Sequence, residues 1–311
     1  MIVIAGGTGF LGRPLAASLA AGGHAVTVLT RPRAHGRGNP PASPRAASGS
    51  IVQVEWHPDG TTGPWMRAID GADGVVNLAG ESIAARRWTA SQKARLVESR
   101  LLATKSLVDA IAAAASPPKV FISGSAIGYY GDRGDEVLSE PSAPGRDFLA
   151  ELCVQWEREA MRANSARTRA ALIRTGIVLH STGGALAKML PPFKAFAGGP
   201  LGSGQQYMSW IHRDDWVGLV SWAITNDLVG GPINATAPEP VTNLEFSKAL
   251  GRALHRPSLL PAPAVALRLL LGEMADSLLL ASQRVIPARA EELGFQFSYP
   301  RLEPALEHLF A

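Results

Sequence analysis

The chain has 311 residues, of which 46% are hydrophobic and 18% charged, with a formal net charge of +4. That length gives one large domain, or a domain and a half, with a well-buried core, and the dispersed arginines form no basic stripe interleaved with aromatics, so nucleic acid is not an expected partner. The single cysteine, Cys153, excludes an intrachain disulfide and a cysteine metal cluster, and the longest apolar stretch, Ala262–Leu271, contains Pro263 and Arg268 and is too short to span a bilayer, so no membrane partner is expected.

The chain opens with an apolar run, Met1–Ala5, then a glycine-rich turn, Gly6-Gly7-Thr8-Gly9-Phe10-Leu11-Gly12, then a helix pattern over 11–21. A start on a core strand leaves no signal or transit peptide, and the expected location is cytoplasmic. Strand, glycine turn and helix in this order open a dinucleotide-binding Rossmann unit. Gly6 allows the tight turn, Gly9 lets the backbone approach a pyrophosphate, and Gly12 lets helix and strand pack closely. The positive end of the helix then faces the phosphates. The alternative is a glycine turn kept only for helix–sheet packing. A second strand falls at 25–29 and is followed by Thr30-Arg31. NAD sites usually place an acidic side chain here for the ribose hydroxyls, whereas an arginine pairs with a 2′-phosphate. The pattern therefore favours NADP(H), with Arg33 and Arg37 adding charge nearby, unless Arg31 is an ordinary solvated loop residue. Residues 33–50, rich in Arg, Pro, Gly, Ser and Ala, read as a long mobile loop.

Further strands at 51–55, 74–78, 119–123 and 170–178 alternate with helices at 64–69, 91–115 and 146–164. This alternation predicts an α/β fold: a Rossmann-type doubly wound parallel sheet over 1–176. A smaller C-terminal lobe covers 177–311, with a segment near 211–236 returning to the Rossmann domain. In the lobe, Gly198–Gly204 precedes Trp210-Ile211-His212-Arg213-Asp214-Asp215, and a helix over 215–224 is expected with an aspartate N-cap. Helices at 244–254, 262–282 and 303–309 complete the chain. Ligands of open α/β sheets sit outside the carboxyl ends of the strands, so the lobe is expected to close over that edge around a small-molecule substrate.

Several motifs follow one another in a specific order. They are the glycine turn, Val76-Asn77-Leu78-Ala79-Gly80-Glu81, Ser99-Arg100, and Ser123-Gly124-Ser125-Ala126-Ile127-Gly128-Tyr129-Tyr130-Gly131. Then come Arg174-Thr175-Gly176-Ile177-Val178-Leu179, Gly198–Gly204, Ser209-Trp210-Ile211-His212, Asn234–Asn243 and Gly294-Phe295-Gln296-Phe297. Together they resemble the extended short-chain dehydrogenase/reductase superfamily, in its epimerase-like subgroup with a C-terminal domain of unknown function. The resemblance implies NADP(H) bound by Gly6, Thr8, Gly9, Phe10, Leu11 and Gly12, with Thr30 and Arg31 at the adenosine phosphate. Leu78, Ala79 and Gly80 would lie along the cofactor, and Arg100 would reach it from the long helix. Each has a plainer reading: Leu78 and Ala79 as strand-end packing, Arg100 as a solvated helix residue.

In the superfamily a Ser or Thr at the end of the fifth strand holds the reacting oxygen. A Tyr moves its proton, and a Lys four residues later lowers the Tyr pKa. Ser125 stands at the serine position. The Tyr-x-x-x-Lys pair is missing: aligning Glu157 with the family's helix puts Leu149 at the tyrosine and Cys153 at the lysine, and a shift of one gives Phe148 and Leu152. Cys153 on an apolar face reads as packing beside the nicotinamide. Tyr129 and Tyr130 lie just beyond Ser125 and are candidate substitutes, Tyr129 ahead of Tyr130, with Glu81 a further candidate acid or base. His212 reads as structural, and Lys188, Lys194, Gln205 and Gln206 are candidate cleft-lining residues. No metal-ligand cluster and no Gly-x-Ser-x-Gly elbow occurs, so no metal is expected. Extended members often dimerise through the helices at 91–115 and 146–164; the outer face of the second, with Glu151, Arg158 and Glu159, is charged and leaves a homodimer open. Two functions follow: an NADP(H)-dependent oxidoreductase or epimerase-like protein acting on a small carbonyl or sugar-like substrate, and a non-catalytic NADP(H)-binding sensor or scaffold.

Overall fold

The computed structural model describes residues 1–32 and 46–311, so Arg33, Arg37 and most of the 33–50 segment lie outside the described residues. The strands are β1 (Ile2–Ala5), β2 (Val26–Thr30), β3 (Ile51–Glu55), β4 (Gly74–Asn77), β5 (Val120–Ala126), β6 (Val137–Leu138), β7 (Arg169–Thr175), β8 (Ile177–Leu179), β9 (Tyr207–Met208), β10 (Trp210–His212), β11 (Gly231–Ala235), β12 (Val241–Thr242) and β13 (Arg284–Val285). The helices are α1 (Gly12–Ala21), α2 (Ala90–Ala113), α3 (Phe148–Met161), α4 (Gly184–Lys194), α5 (Arg213–Thr225), α6 (Asn243–Ala253), α7 (Ala264–Leu271), α8 (Glu273–Ala275), α9 (Ala288–Glu292) and α10 (Leu302–Phe310).

Seven strands form one parallel sheet in the order β11-β7-β5-β4-β1-β2-β3. All four residues of β1 are buried, as an uninterrupted apolar run requires of a strand covered on both faces. One core lies under α1 and α5, with Leu15, Leu19, Trp216 and Val220 packed on the sheet. The other lies under α2 and α3, with Leu107, Ile111 and Ala160. This is the Rossmann-type doubly wound α/β architecture. Strand order reverses at β1, between β2 and β4, and that switch point opens the ligand crevice at the carboxyl edge.

Four expectations need correction. The strand expected at 170–178 is two: the chain leaves the large sheet at Gly176, where a Cβ would stand 2.6 Å from the Ser209 carbonyl oxygen, and β8 pairs with β10. Helix α4 was not expected; Pro191 and Pro192, which disfavour a helix interior, sit in its last turn. The single helix expected over 262–282 is broken at Gly272, in the left-handed region at φ +63°, into α7, α8 and a π-helical turn, Asp276–Leu280. Helix α5 is capped by His212, not by an aspartate: Nδ1 accepts the Asp214 N–H at 3.2 Å. Asp215 instead accepts the Ser298 and Tyr299 N–H groups at 2.8 and 2.9 Å, tying the C-terminal segment to α5. No helix among the described residues is long and apolar enough to cross a membrane.

Candidate functional site

The glycine turn is built for close backbone contact. Gly6 has φ +80°, and a Cβ there would lie 2.6 Å from the Leu78 carbonyl, so the turn packs directly on the end of β4. A Cβ on Gly12 would collide with the Gly6 carbonyl oxygen, which brings α1 against the turn. Thr8 and Gly9 are exposed, and among the described residues the only atom close to a Cβ on Gly9 is the Gly6 oxygen at 3.2 Å. The turn therefore presents open backbone beside the N-terminus of α1, the shape and polarity a pyrophosphate requires. Phe10 and Leu11 are half-buried, and Phe10 packs under Gly183 and Gly184 of the C-terminal lobe.

At the end of β2, Thr30 is half-buried and Arg31 exposed, with no acidic side chain at 30–32. Glu55 of β3 is the register partner of Thr30, an acidic neighbour that reading the chain linearly does not bring forward. At the end of β4, buried Asn77 donates to Thr104 Oγ1 at 2.9 Å and accepts the Ala79 N–H at 3.1 Å, which fixes the Leu78–Gly80 turn. Arg100 lies against Gly80, where a Cβ would stand 3.1 Å from its Cγ. Its guanidinium sits 5.3 Å over the Trp156 ring and donates to the Leu96 carbonyl at 3.1 Å. Arg100 is therefore packed between the Gly80 turn and Trp156 rather than held in bulk solvent.

The serine site is closed by a network that sequence reasoning missed. Buried Ser125 donates its Oγ–H to Glu157 Oε1 at 2.7 Å. Arg174 of β7 holds the same carboxylate through Nε and Nη2, both at 2.8 Å. Arg174 also donates to the Tyr130 hydroxyl and to the Glu140 carbonyl oxygen, each at 3.0 Å, and Tyr130 donates to Asn234 Oδ1 at 2.7 Å. Burial pushes the Tyr130 hydroxyl up to about 12 despite Arg174, so it stays protonated and structural. Tyr129 is half-buried, with its ring centroid 3.4 Å from the Arg174 guanidinium carbon. A usable signal existed: Arg174 closes the apolar run Ala170-Ala171-Leu172-Ile173, and an arginine in a buried strand requires a buried partner.

The positions of the missing pair are packing positions. Leu149 is buried among Trp88, Leu96 and Met274. Cys153 is buried, and burial, with the Glu157 charge, pushes its thiol up to about 12. Glu81 accepts the Gln92 amide at 2.9 Å. Lys188 donates to the Ala84 carbonyl at 2.9 Å, Gln206 to the Leu201 and Leu279 carbonyls at 3.0 Å, while Lys194 and Gln205 are exposed. No metal-ligand cluster was expected, yet folding gathers His212, Asp214 and His308, with ligand atoms within 4.8 Å of one another. The His212 ring is stacked 4.0 Å from Tyr299, and its Nδ1 already serves as the α5 cap.

The sequence model of the NAD dependent epimerase/dehydratase family matches residues 2–235, and a domain of unknown function (DUF1731) matches residues 262–309. The chain belongs to the NAD dependent epimerase/dehydratase family. It is 45% identical to the Epimerase family protein SDR39U1 homolog, chloroplastic, of Arabidopsis thaliana, over 98% of this chain and 85% of that protein. It is 36% identical to the Epimerase family protein YfhF of Bacillus subtilis, over 100% and 98%. The crystal structure of human epimerase family protein SDR39U1 (isoform2) with NADPH is similar with a TM-score of 0.87 at 34% identity, covering 99% of this chain and 98% of that one. The family, the extended short-chain dehydrogenase/reductase fold and the distinctive C-terminal region agree with the resemblance carried by the motifs.

Proposed function

We propose that the crevice binds NADP(H) and serves hydride transfer to or from a small carbonyl or sugar-like substrate held between the carboxyl edge of the sheet and the C-terminal lobe. The observation that carries this reading is the open glycine turn at the switch point, followed by an exposed arginine where an acid would repel a 2′-phosphate. The NADPH bound to the human relative supports it. When bound, the cofactor supplies the hydride. The chain supplies the phosphate cradle, the Leu78–Gly80 edge, and Arg31 and Arg100 as cations. Ser125 donates its hydroxyl hydrogen bond to Glu157, so it turns only lone pairs to a ligand. Tyr129 is then the remaining phenol at the strand end for proton transfer.

That committed proton, with Leu149 and Cys153 in place of the pair, favours a second reading: a non-catalytic NADP(H)-binding sensor or scaffold. Titration of NADPH and NADH separates cofactors. Losing a charge-assisted phosphate contact costs about 1.5–3 kcal/mol, so NADPH should bind roughly ten to a hundred times more tightly, and Arg31→Ala should narrow the gap. Equal affinities in the wild type would refute the NADP(H) assignment. NADPH-loaded protein is then offered a panel of carbonyl compounds. Slow consumption, reduced in Tyr129→Phe without loss of NADPH affinity, supports hydride transfer; no consumption at all gives the sensor reading.

A further inference from the structure

Two hydrogen-bond acceptors beside the Leu78–Gly80 edge have no donor among the described residues. Gln92, in the first turn of α2, is 2% exposed. Its Nε2 donates to Glu81 Oε1 at 2.9 Å, while its Oε1 is buried without a hydrogen-bond partner. Reversing the amide would turn that oxygen onto the Glu81 carboxylate, so Glu81 fixes its orientation. The second acceptor is the other carboxylate oxygen of Glu81, which is half-buried and takes up only the Gln92 amide, through Oε1.

The pair is held rigidly. The Glu81 N–H donates to Ser99 Oγ at 3.0 Å, and Ser99 Oγ donates to the Leu96 carbonyl at 3.2 Å, which ties the chain leaving β4 to α2. Gln92, Leu96, Ser99 and Arg100 fall on one face of the helix, three or four residues apart or side by side. Leu96 packs in one cluster with Leu149, the residue at the tyrosine position. Arg100 packs on Gly80 and lies within electrostatic reach of Glu81. The two acceptors therefore stand between the cofactor edge and the wall where the superfamily carries its phenol.

A buried amide oxygen without a donor costs free energy that a bound donor relieves, and an ionised carboxylate can only accept. The fitting ligand brings O–H groups. Resting on the cofactor reading above, we propose that Gln92 and Glu81 form a hydroxyl-binding subsite, in which Gln92 Oε1 and the second Glu81 oxygen accept from two hydroxyls of one polyhydroxy ligand. Those hydroxyls belong either to a ribose of the cofactor or to a sugar-like substrate. A carbonyl compound without hydroxyls leaves both acceptors unmet.

Three variants and two titrations test this. Gln92→Met keeps the side-chain length and removes the unmet oxygen together with the amide N–H. Glu81→Gln keeps an acceptor for Gln92 and turns the second oxygen into an amide donor. Glu98→Gln makes the same charge change at an exposed position of α2. NADPH is titrated into each protein, and NADPH-loaded protein is then titrated calorimetrically with dihydroxyacetone and with acetone. If the ribose is the source, Gln92→Met and Glu81→Gln bind NADPH roughly tenfold or more weakly than the wild type, and Glu98→Gln does not. If the substrate is the source, NADPH affinity is unchanged, the wild type prefers dihydroxyacetone to acetone by about tenfold or more, and the same two variants lose that preference. Ligand-free Gln92→Met should melt no lower than the wild type, because loss of one hydrogen bond is offset by removal of the unmet acceptor. Wild-type NADPH affinity in both variants, with no hydroxyl preference lost in either, overturns the proposal. So does a Gln92→Met protein that melts well below the wild type beside a Glu81→Gln protein that binds both ligands normally, since the amide is then only a strut. Failure of the wild type to bind NADPH overturns the cofactor reading instead, and the melting comparison and the dihydroxyacetone titration then decide the subsite on the cofactor-free protein.

Discussion

Removing both partners of the Glu157–Arg174 pair should cost no more than removing Arg174 alone, far less than the sum of the two single losses. Both side chains are almost wholly buried, and Glu157 accepts from Ser125 Oγ, Arg174 Nε and Arg174 Nη2 at 2.7–2.8 Å. Arg174→Met leaves a buried carboxylate held by Ser125 alone, which places it at about 3–5 kcal/mol, the usual cost of orphaning one member of a buried pair. Glu157→Leu leaves a guanidinium that keeps the Tyr130 hydroxyl, the Glu140 carbonyl and the Tyr129 ring face, so its loss should be nearer about 3 kcal/mol. In Glu157→Leu/Arg174→Met both charges and their desolvation cost are gone, and what remains is lost hydrogen bonding to Ser125, Tyr130 and the Glu140 carbonyl, each about 1 kcal/mol. The double variant should therefore be no less stable than Arg174→Met, with a coupling energy of at least about 2 kcal/mol. Urea unfolding at neutral pH followed by tryptophan fluorescence measures all three. Additive losses would refute the claim that the pair is a closed, mutually dependent unit.

Two further outcomes follow from single positions. Gly6→Ala combines a left-handed φ with a Cβ 2.6 Å from the Leu78 carbonyl, so it should destabilise the fold by about 1–3 kcal/mol and abolish NADPH binding; a variant that melts and titrates like the wild type would show that the turn is not the cradle. His212 sits at about 4, lowered by burial against a partial rise from Asp214; above its unfolded value neither state is protonated, and as pH falls from about 6.5 to 4 only the unfolded state takes up the proton, so up to about 3 kcal/mol of stability is lost. Asp215 and Glu140, raised by burial, work in the opposite sense at acid pH, so the readout is the difference between wild type and His212→Asn, which keeps a cap acceptor but should lose this acid-side slope.

What was legible in the sequence was local. The β1–turn–α1 unit and the large-sheet strands β1 to β5 and β7 follow from short-range periodicity and glycine placement, while Ser125 at the β5 end follows from the family resemblance. The break at Gly272 was not legible, because Leu269-Leu270-Leu271 and Met274 continue a helical apolar pattern across it; the left-handed φ of +63° and the close approach of Arg87 from a loop far away in sequence both call for a glycine there. Nor was the cap of α5. The acidic Asp214 and Asp215 suit a helix start, but the buried His212 ring is set one step earlier by its stacking on Tyr299.

The serine site shows the same limit in its sharpest form. Leu149, Cys153 and Glu157 are spaced four apart on α3 and share the face turned to β5. Where the superfamily puts a phenol and an ammonium on this face, the chain puts two apolar groups and then a carboxylate one turn further on. That carboxylate is neutralised from β7 by Arg174 and accepts the Ser125 hydrogen bond. The face has therefore changed from a proton relay open to the crevice into a sealed, charge-balanced joint between α3, β5 and β7. Any proton exchanged with a ligand must come from the crevice side, from Tyr129 or from the ligand itself.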